Sequence, residues 1–380
     1  MQWPLKQYQA DTRIWPLSQG DGVVVAVIDG GVDGNHQDLA GQVLPGADFS
    51  GGKSDGRVDA DGHGTGMASL IAGVGHGNKA GISGLAPKAK ILPVKIRSGG
   101  ESGDLLSPQS DIASAIRFAV DHGASVVNMS VGGPGRLDAE ARAAVKYAVS
   151  KDVVLVASTG NSGDSGQPVD YPAAYPGVVA VGAVDEQGRI WEKSSFGPET
   201  TVTAPGVKVG RATAKSTAGY AIGNGTSDAT AYVSATAALI RAKYPELSAG
   251  QVINRIIKSA TPPPGGVTVP DSHYGYGIVD PAKALDPATD SGPRENPLAG
   301  RVEAQGVPTG GVSAPPSEEV WESPPAAAPV GAGGNRGVAW VLVGAAGIGG
   351  VVVVSVVLAL VVRGRRRRVA APPQWPPYQG

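Results

Sequence analysis

Five short apolar runs recur along the chain, at residues 23–28, 91–96, 126–129, 153–157 and 178–181, all rich in small or β-branched apolar residues. Mainly apolar strands of this length, without regular polar alternation, suit a parallel sheet buried on both faces. Between and after them lie segments with helical character, at 66–72, 112–122, 139–150, 229–243 and 249–259. Strand and helix in alternation predict an α/β architecture, a mainly parallel sheet with helices on both faces. In such sheets reactive side chains collect where the strands end, at their carboxyl edge.

The polar punctuation falls at those ends. Asp29 closes the first run in VVVAVIDGGVD, His63 lies in DGHGTGMAS before a helix, and Ser227 lies in GNGTSDATAYVS at the start of another. A serine hydroxyl is a poor nucleophile until a base takes its proton, and the base needs an acid to orient it and balance its charge. A serine at a helix N-terminus also gains a backbone N–H and a favourable dipole for a developing oxyanion. Asn161, in ASTGNSG just past a strand, offers its side-chain amide as a second donor.

The segments VAVIDGGVDGNHQDLAG, DGHGTGMAS, VVNMSVGG, ASTGNSG and GTSDATA follow the order and spacing of the subtilisin-like serine proteases, and residues 21–285 resemble that family. The resemblance implies a three-layer subtilisin-like fold acting on polypeptides, and the residues themselves lead us to expect no cofactor and no metal. It implies Asp29, His63 and Ser227 as catalytic triad, with Asn161 and the Ser227 backbone as the oxyanion hole. It further implies that Ser130, Val131 and Gly132, with Ser158, Thr159 and Gly160, line the pocket for the residue before the scissile bond. Glycine, serine and valine dominate those segments, which predicts an open apolar cleft without a charged selector. Residues 98–103 would form an edge that pairs with substrate backbone.

Several residues depart from the family pattern. Gly30 follows Asp29 where Ser or Thr is usual, which removes a hydroxyl donor to a charged group, an interaction worth about 1.5–3 kcal/mol. Asp228 follows Ser227 where a large apolar residue is common. Adjacent helical residues point about 100° apart, so Asp228 reads as a helix cap rather than a group facing the oxyanion. Ala231 stands where many relatives have proline. His36, His76, His122 and His273 show no metal-ligand spacing and read as structural. Asp55, Asp59 and Asp61 form an acidic run without the alternating ligands of a calcium loop, and read as solvated.

Beyond residue 285 the texture changes. Residues 286–336 are rich in Pro, Gly, Ala and Ser with no amphipathic period, the composition of an extended, disordered linker. Residues 337–362 carry no charge and, at roughly 1.5 Å per helical residue, are long enough to cross a hydrocarbon core of about 30 Å as a single transmembrane helix in membrane lipid. Arg363, Arg365, Arg366, Arg367 and Arg368 follow at once, and such a cluster stays cytoplasmic. The expected topology is therefore a cell-membrane protein with its catalytic domain extracellular and a short basic tail, 363–380, inside. Residues 1–20 read as an N-terminal extension with no apolar signal core; either the start shown is internal or a leader has been removed. The absence of cysteine excludes disulfides and thiolate chemistry, and a net charge of −1 leaves no footprint for nucleic acid.

Protease domain, proline-rich linker, one span and a basic tail, with Trp15 just before the first strand, resemble the mycosins. These are membrane-anchored proteases associated with type VII secretion in actinobacteria, so the resemblance implies a secretion membrane complex as partner. The expected function is a working serine endopeptidase that passes through an acyl-enzyme. The alternatives are a catalytically weak domain serving as scaffold of a secretion complex, or a generic membrane-anchored extracellular subtilase.

Overall fold

Strands run in chain order as β1 (Val24–Asp29), β2 (Ala47–Asp48), β3 (Val74–His76), β4 (Ala80–Ser83), β5 (Lys90–Lys95), β6 (Val126–Met129), β7 (Val154–Ser158), β8 (Val178–Val184), β9 (Thr200–Pro205), β10 (Val209–Thr213) and β11 (Gly219–Gly223). The helices are α1 (Trp3–Gln7), α2 (His63–Ala72), α3 (Ser110–Asp121), α4 (Ala139–Ser150), α5 (Thr226–Lys243), α6 (Ala249–Ser259) and α7 (Pro281–Ala284). This computed structural model describes residues 2–77, 80–97, 110–133, 139–214 and 216–300.

A seven-stranded sheet of order β2-β5-β1-β6-β7-β8-β9 forms the middle layer, and all its strand pairs are parallel. Side chains alternate between two cores, as the period of two demands. Val25 and Val27 of β1 join α2, α5, α6 and α7 on one side. Ala26 and Ile28 join α3 and α4 on the other. A one-residue slip would exchange the two sets, so the apolar runs also fix the register. Helix α5 is buried from Thr226 to Arg241. Its small residues, alanines with serines and threonines among them, suit a helix closely enclosed by sheet and neighbouring helices.

The strands extend the predicted apolar runs by the residues that matter chemically: β1 takes in Asp29 and β7 takes in Ser158. Strand β9, TTVTAP, and the hairpins β3–β4 and β10–β11 lie outside those runs. The segment before β1 packs onto the domain. Ala10 and Ile14 are buried in the core, Trp3 Nε1 donates to Val207 O at 3.0 Å, and Ser18 Oγ donates to Leu239 O at 2.8 Å.

At the other end, the extended-linker reading does not hold for residues 286–300. Leu298 is buried in the core, Asn296 Nδ2 donates to Gly177 O at 2.9 Å, and Ser248 Oγ donates to Arg294 O at 2.7 Å. One leucine and these specific hydrogen bonds anchor a segment whose composition alone suggests disorder. Residues 301–380, with the rest of the linker, the expected span and the arginine cluster, lie outside the described residues, as do residues 98–103. Among the described residues no helix is long and apolar enough to cross a membrane.

Candidate active site

Asp29 ends β1 with a carboxylate only 2% exposed. His63 Nδ1 lies 3.0 Å from Asp29 Oδ1 and 2.9 Å from Oδ2, so the ring is held by both oxygens. The hydroxyl missing at position 30 is partly replaced: the Gly30 backbone N–H itself donates to Asp29 Oδ1 at 2.7 Å.

The acidic run before His63 is not a freely solvated loop. Asp59 Oδ1 accepts from Gly62 N at 2.9 Å, and Oδ2 accepts from Thr65 N at 2.9 Å and Thr65 Oγ1 at 2.6 Å. Asp61 Oδ1 accepts from His63 N at 2.9 Å. Two carboxylates thus satisfy the orphan N–H groups that open α2, which suits the helix dipole and fixes the backbone that carries His63. Burial lifts the Asp59 carboxyl above its ordinary range, against its hydrogen bonds, and the Asp29 charge adds to the rise. Asp55 pairs with Arg57 at 2.5 Å. Among the described residues no group of acidic or histidine side chains could hold a metal.

Ser227 stands in the first turn of α5, 7% exposed. Its Oγ donates to Ser130 O at 3.2 Å, and no hydrogen bond joins it to His63. Asn161, two residues past Thr159 on the turn leaving β7, accepts through Oδ1 from Thr226 N and Thr226 Oγ1, both at 2.9 Å. With its oxygen so occupied, its NH₂ is turned to the other side. A Cβ at Gly225 would lie 3.6 Å from Ser227 N and 3.7 Å from Asn161 Nδ2, so the two donors border one bare spot.

Buried polar groups missed in the sequence brace this region. Ser234 Oγ donates to Asn128 Oδ1 at 2.9 Å, Asn128 Nδ2 to Ser130 Oγ at 3.0 Å, and Ser130 Oγ to Ser227 O at 3.0 Å. An asparagine inside the apolar strand VVNM was the available signal, because a buried amide must find partners. Asp228 is not a simple cap. It is fully buried, and Oδ1 accepts from Arg211 Nη1 at 3.1 Å while Oδ2 has no hydrogen-bond partner. Arg211, on β10, reaches it past the bare faces of two glycines: a Cβ at Gly66 would sit 2.8 Å from Arg211 Cδ, and one at Gly223 2.8 Å from Cζ. Burial raises the Asp228 carboxyl above its ordinary range, while Arg211 and His63 oppose the rise. For His63, burial pushes the ring down, but the charge and hydrogen bond of Asp29 outweigh it. The ring therefore sits above its ordinary value, with Arg211 lowering it and Asp228 raising it.

The pocket segments flank this centre. Ser130, Val131, Ser158 and Thr159 are buried beside the ends of β6 and β7, and Gly132 and Gly160 follow on each side. Asp170 lies against the bare faces of both glycines. The other histidines sit elsewhere. His36 Nε2 is 3.0 Å from Gly219 O, His76 Nδ1 is 2.6 Å from Asp38 Oδ1, and His122 and His273 stack on Phe118 and Phe196.

The sequence profile of the Subtilase family matches residues 20–277. Subtilisin DY from Bacillus licheniformis is 40% identical over 265 residues, which cover 69% of this chain and 90% of that protein. Subtilisin E from Bacillus subtilis (strain 168) is 39% identical over 263 residues, covering 69% of this chain and 65% of that protein's length. Among solved structures, MycP1 from the ESX-1 type VII secretion system superposes with a TM-score of 0.67 at 29% identity, covering 78% of this chain and 88% of that one. By sequence and by fold, the chain belongs to the subtilase family and is a subtilisin-like serine endopeptidase.

Proposed function

We propose that Asp29, His63 and Ser227 are the catalytic triad of this peptidase. The observation that carries the reading is the two-oxygen grip of buried Asp29 on the His63 ring, with Ser227 in the first turn of the helix whose Asp228 acts electrostatically on the same ring. Substrate binding turns the Ser227 hydroxyl from the Ser130 carbonyl toward His63, a tightening common when a site fills. His63 Nε2 then takes the hydroxyl proton as Oγ bonds to the peptide carbonyl carbon, and Asp29 stabilises the imidazolium. The oxyanion accepts from the Ser227 N–H and Asn161 Nδ2. The C–N bond breaks as His63 returns its proton to the leaving amine. Water, deprotonated by the same base, then hydrolyses the acyl-enzyme.

Ser130, Val131, Gly132, Ser158, Thr159 and Gly160 form the walls for the residue before the scissile bond. The protein is membrane-anchored through residues 337–362 with its catalytic domain outside, and works beside a type VII secretion complex. Support for that role comes from the likeness to MycP1, described as part of the ESX-1 type VII secretion system, and from the uncharged stretch followed by arginines. A fluorophosphonate probe that does not cross membranes, applied to intact cells, should label wild type but neither Ser227→Ala nor His63→Ala. Equal labelling of all three would sink the triad, and labelling only after lysis would reverse the orientation.

A further inference from the structure

The buried length of α5 carries Asp228 and, one turn later, Tyr232, both without exposed surface. Side chains four apart share a helix face, and a long one leans back toward the N-terminus, so the Tyr232 ring lies over the turn that bears Asp228. Tyr8, which caps the end of α1 and is 9% exposed, meets Tyr232 edge to face with ring centroids 6.1 Å apart. Each of the three ends in a buried polar atom: Asp228 Oδ2, Tyr232 OH and Tyr8 OH. Among the described residues none of these atoms has a hydrogen-bond partner.

Buried polar atoms are rarely left bare, and three that follow one another in space call for a shared partner. The groups are close enough to act on each other. Burial raises the Tyr232 hydroxyl far above its ordinary range, and the Asp228 charge adds to the rise. Burial does the same to Tyr8, with Tyr232 and then Asp280 adding to it. Asp280 is already engaged, because Oδ1 accepts from Lys283 N at 3.0 Å and Oδ2 pairs with Lys283 Nζ at 3.5 Å. The other oxygen of Asp228 is taken by Arg211. A cation among the three is disfavoured, since Arg211 already balances the one carboxylate. A water suits them, because interior waters make about three hydrogen bonds to groups of this kind.

We propose that a bound water accepts from the Tyr8 and Tyr232 hydroxyls and donates to Asp228 Oδ2, which makes Tyr8 a positioning residue for the catalytic base. The water turns both phenolic protons toward the carboxylate and so favours its charged form. Arg211 from β10 and His63 from α2 face that carboxylate, and Asp29 from β1 faces His63 with Asp59 on the loop behind. The Asp228 charge raises the His63 ring, so a hydroxyl on the N-terminal segment bears on the proton of the base. This inference rests on the proposed triad.

The test uses the full chain, with kcat/KM followed against pH and the His63 ring titrated by NMR. Tyr8→Phe and Tyr232→Phe keep the ring packing and remove only the hydroxyl. Each should move the acid limb and the His63 titration to lower pH, by no more than Asp228→Asn does, so that on the acid limb each variant outpaces wild type. Added to Asp228→Asn, neither should move them further. Trp3→Phe loosens the same segment at its bond to Val207 O and should leave both unmoved. A fluorophosphonate reports whether each variant is folded and competent. Unmoved curves in labelled Tyr8→Phe and Tyr232→Phe would overturn the inference and leave the triad standing. An equal shift in the Asp228→Asn background, or from Trp3→Phe, would overturn it as well. A wild type that no fluorophosphonate labels would overturn the triad and, with it, the role of Tyr8 in catalysis.

Discussion

The two halves of the proposed catalytic site are built differently. On the base side, His63 is gripped by both oxygens of Asp29, and its helix is capped by Asp59 and Asp61. On the nucleophile side, the Ser227 hydroxyl is turned to a backbone carbonyl, and the next residue carries a buried ion pair with one oxygen unpartnered. The contrast separates two tasks. An imidazole must hold one tautomer and orientation before substrate arrives, which a fixed carboxylate ensures. A hydroxyl needs its final direction only when a carbonyl is present.

Breaking the base side should have the largest effect. Asp29→Asn keeps the shape but replaces a charged acceptor by an amide, and kcat should fall by about 10⁴ with KM little changed. A loss below tenfold in steady-state kinetics would mean that His63 does not depend on Asp29. On the nucleophile side, Asn161→Ala should lower kcat by roughly 10²–10³, the loss known for such a donor in subtilisin itself, again with little change in KM. A mutant that lost only affinity would assign Asn161 to substrate binding.

The smallest effect sharpens the comparison, because it links the halves. The His63 ring sits above its ordinary value, so activity rises with pH only as the ring loses its proton through that raised value. The same pairing stabilises the fold in full below the unfolded imidazole value of about 6.5 and is lost as pH rises through the folded value. Activity and this share of stability thus run in opposite directions. Asp29 and Asp228 raise the ring and Arg211 lowers it, while Asp59 and Asp61 lie on the loop behind it. Asp228→Asn should therefore move the acid limb of kcat/KM to lower pH, and adding Arg211→Met should move it back. NMR titration of His63 in each variant checks this, and an unmoved limb in folded Asp228→Asn would show the pair to be electrostatically silent.

The sequence made the central sheet legible because each of its apolar runs is buried on both faces and has no other use. Strand β9 escaped notice because its threonines alternate with apolar residues and their hydroxyls bond to neighbouring backbone, as Thr203 Oγ1 does to Gly277 O at 3.3 Å. Asp29, His63 and Ser227 were legible from glycine-flanked turns at element ends. Asp228 was misread as a cap because its partner lies on a hairpin 17 residues earlier, a distance that local helix rules do not span.

The N-terminal segment has a consequence for how the molecule is made. Trp3 bonds to a residue 204 positions away and Ser18 to one 221 positions away, across helix α5 and the chain leading to it. Contacts of such separation form only after long loops have closed, so a chain of this topology folds slowly. Interactions completed after the folding transition state mainly slow unfolding. For an endopeptidase in the company of its own copies, survival depends on how rarely a chain opens, since an opened chain is a substrate. The segment ahead of β1, bonded to residues more than 200 positions later, acts as a clasp that should slow such opening.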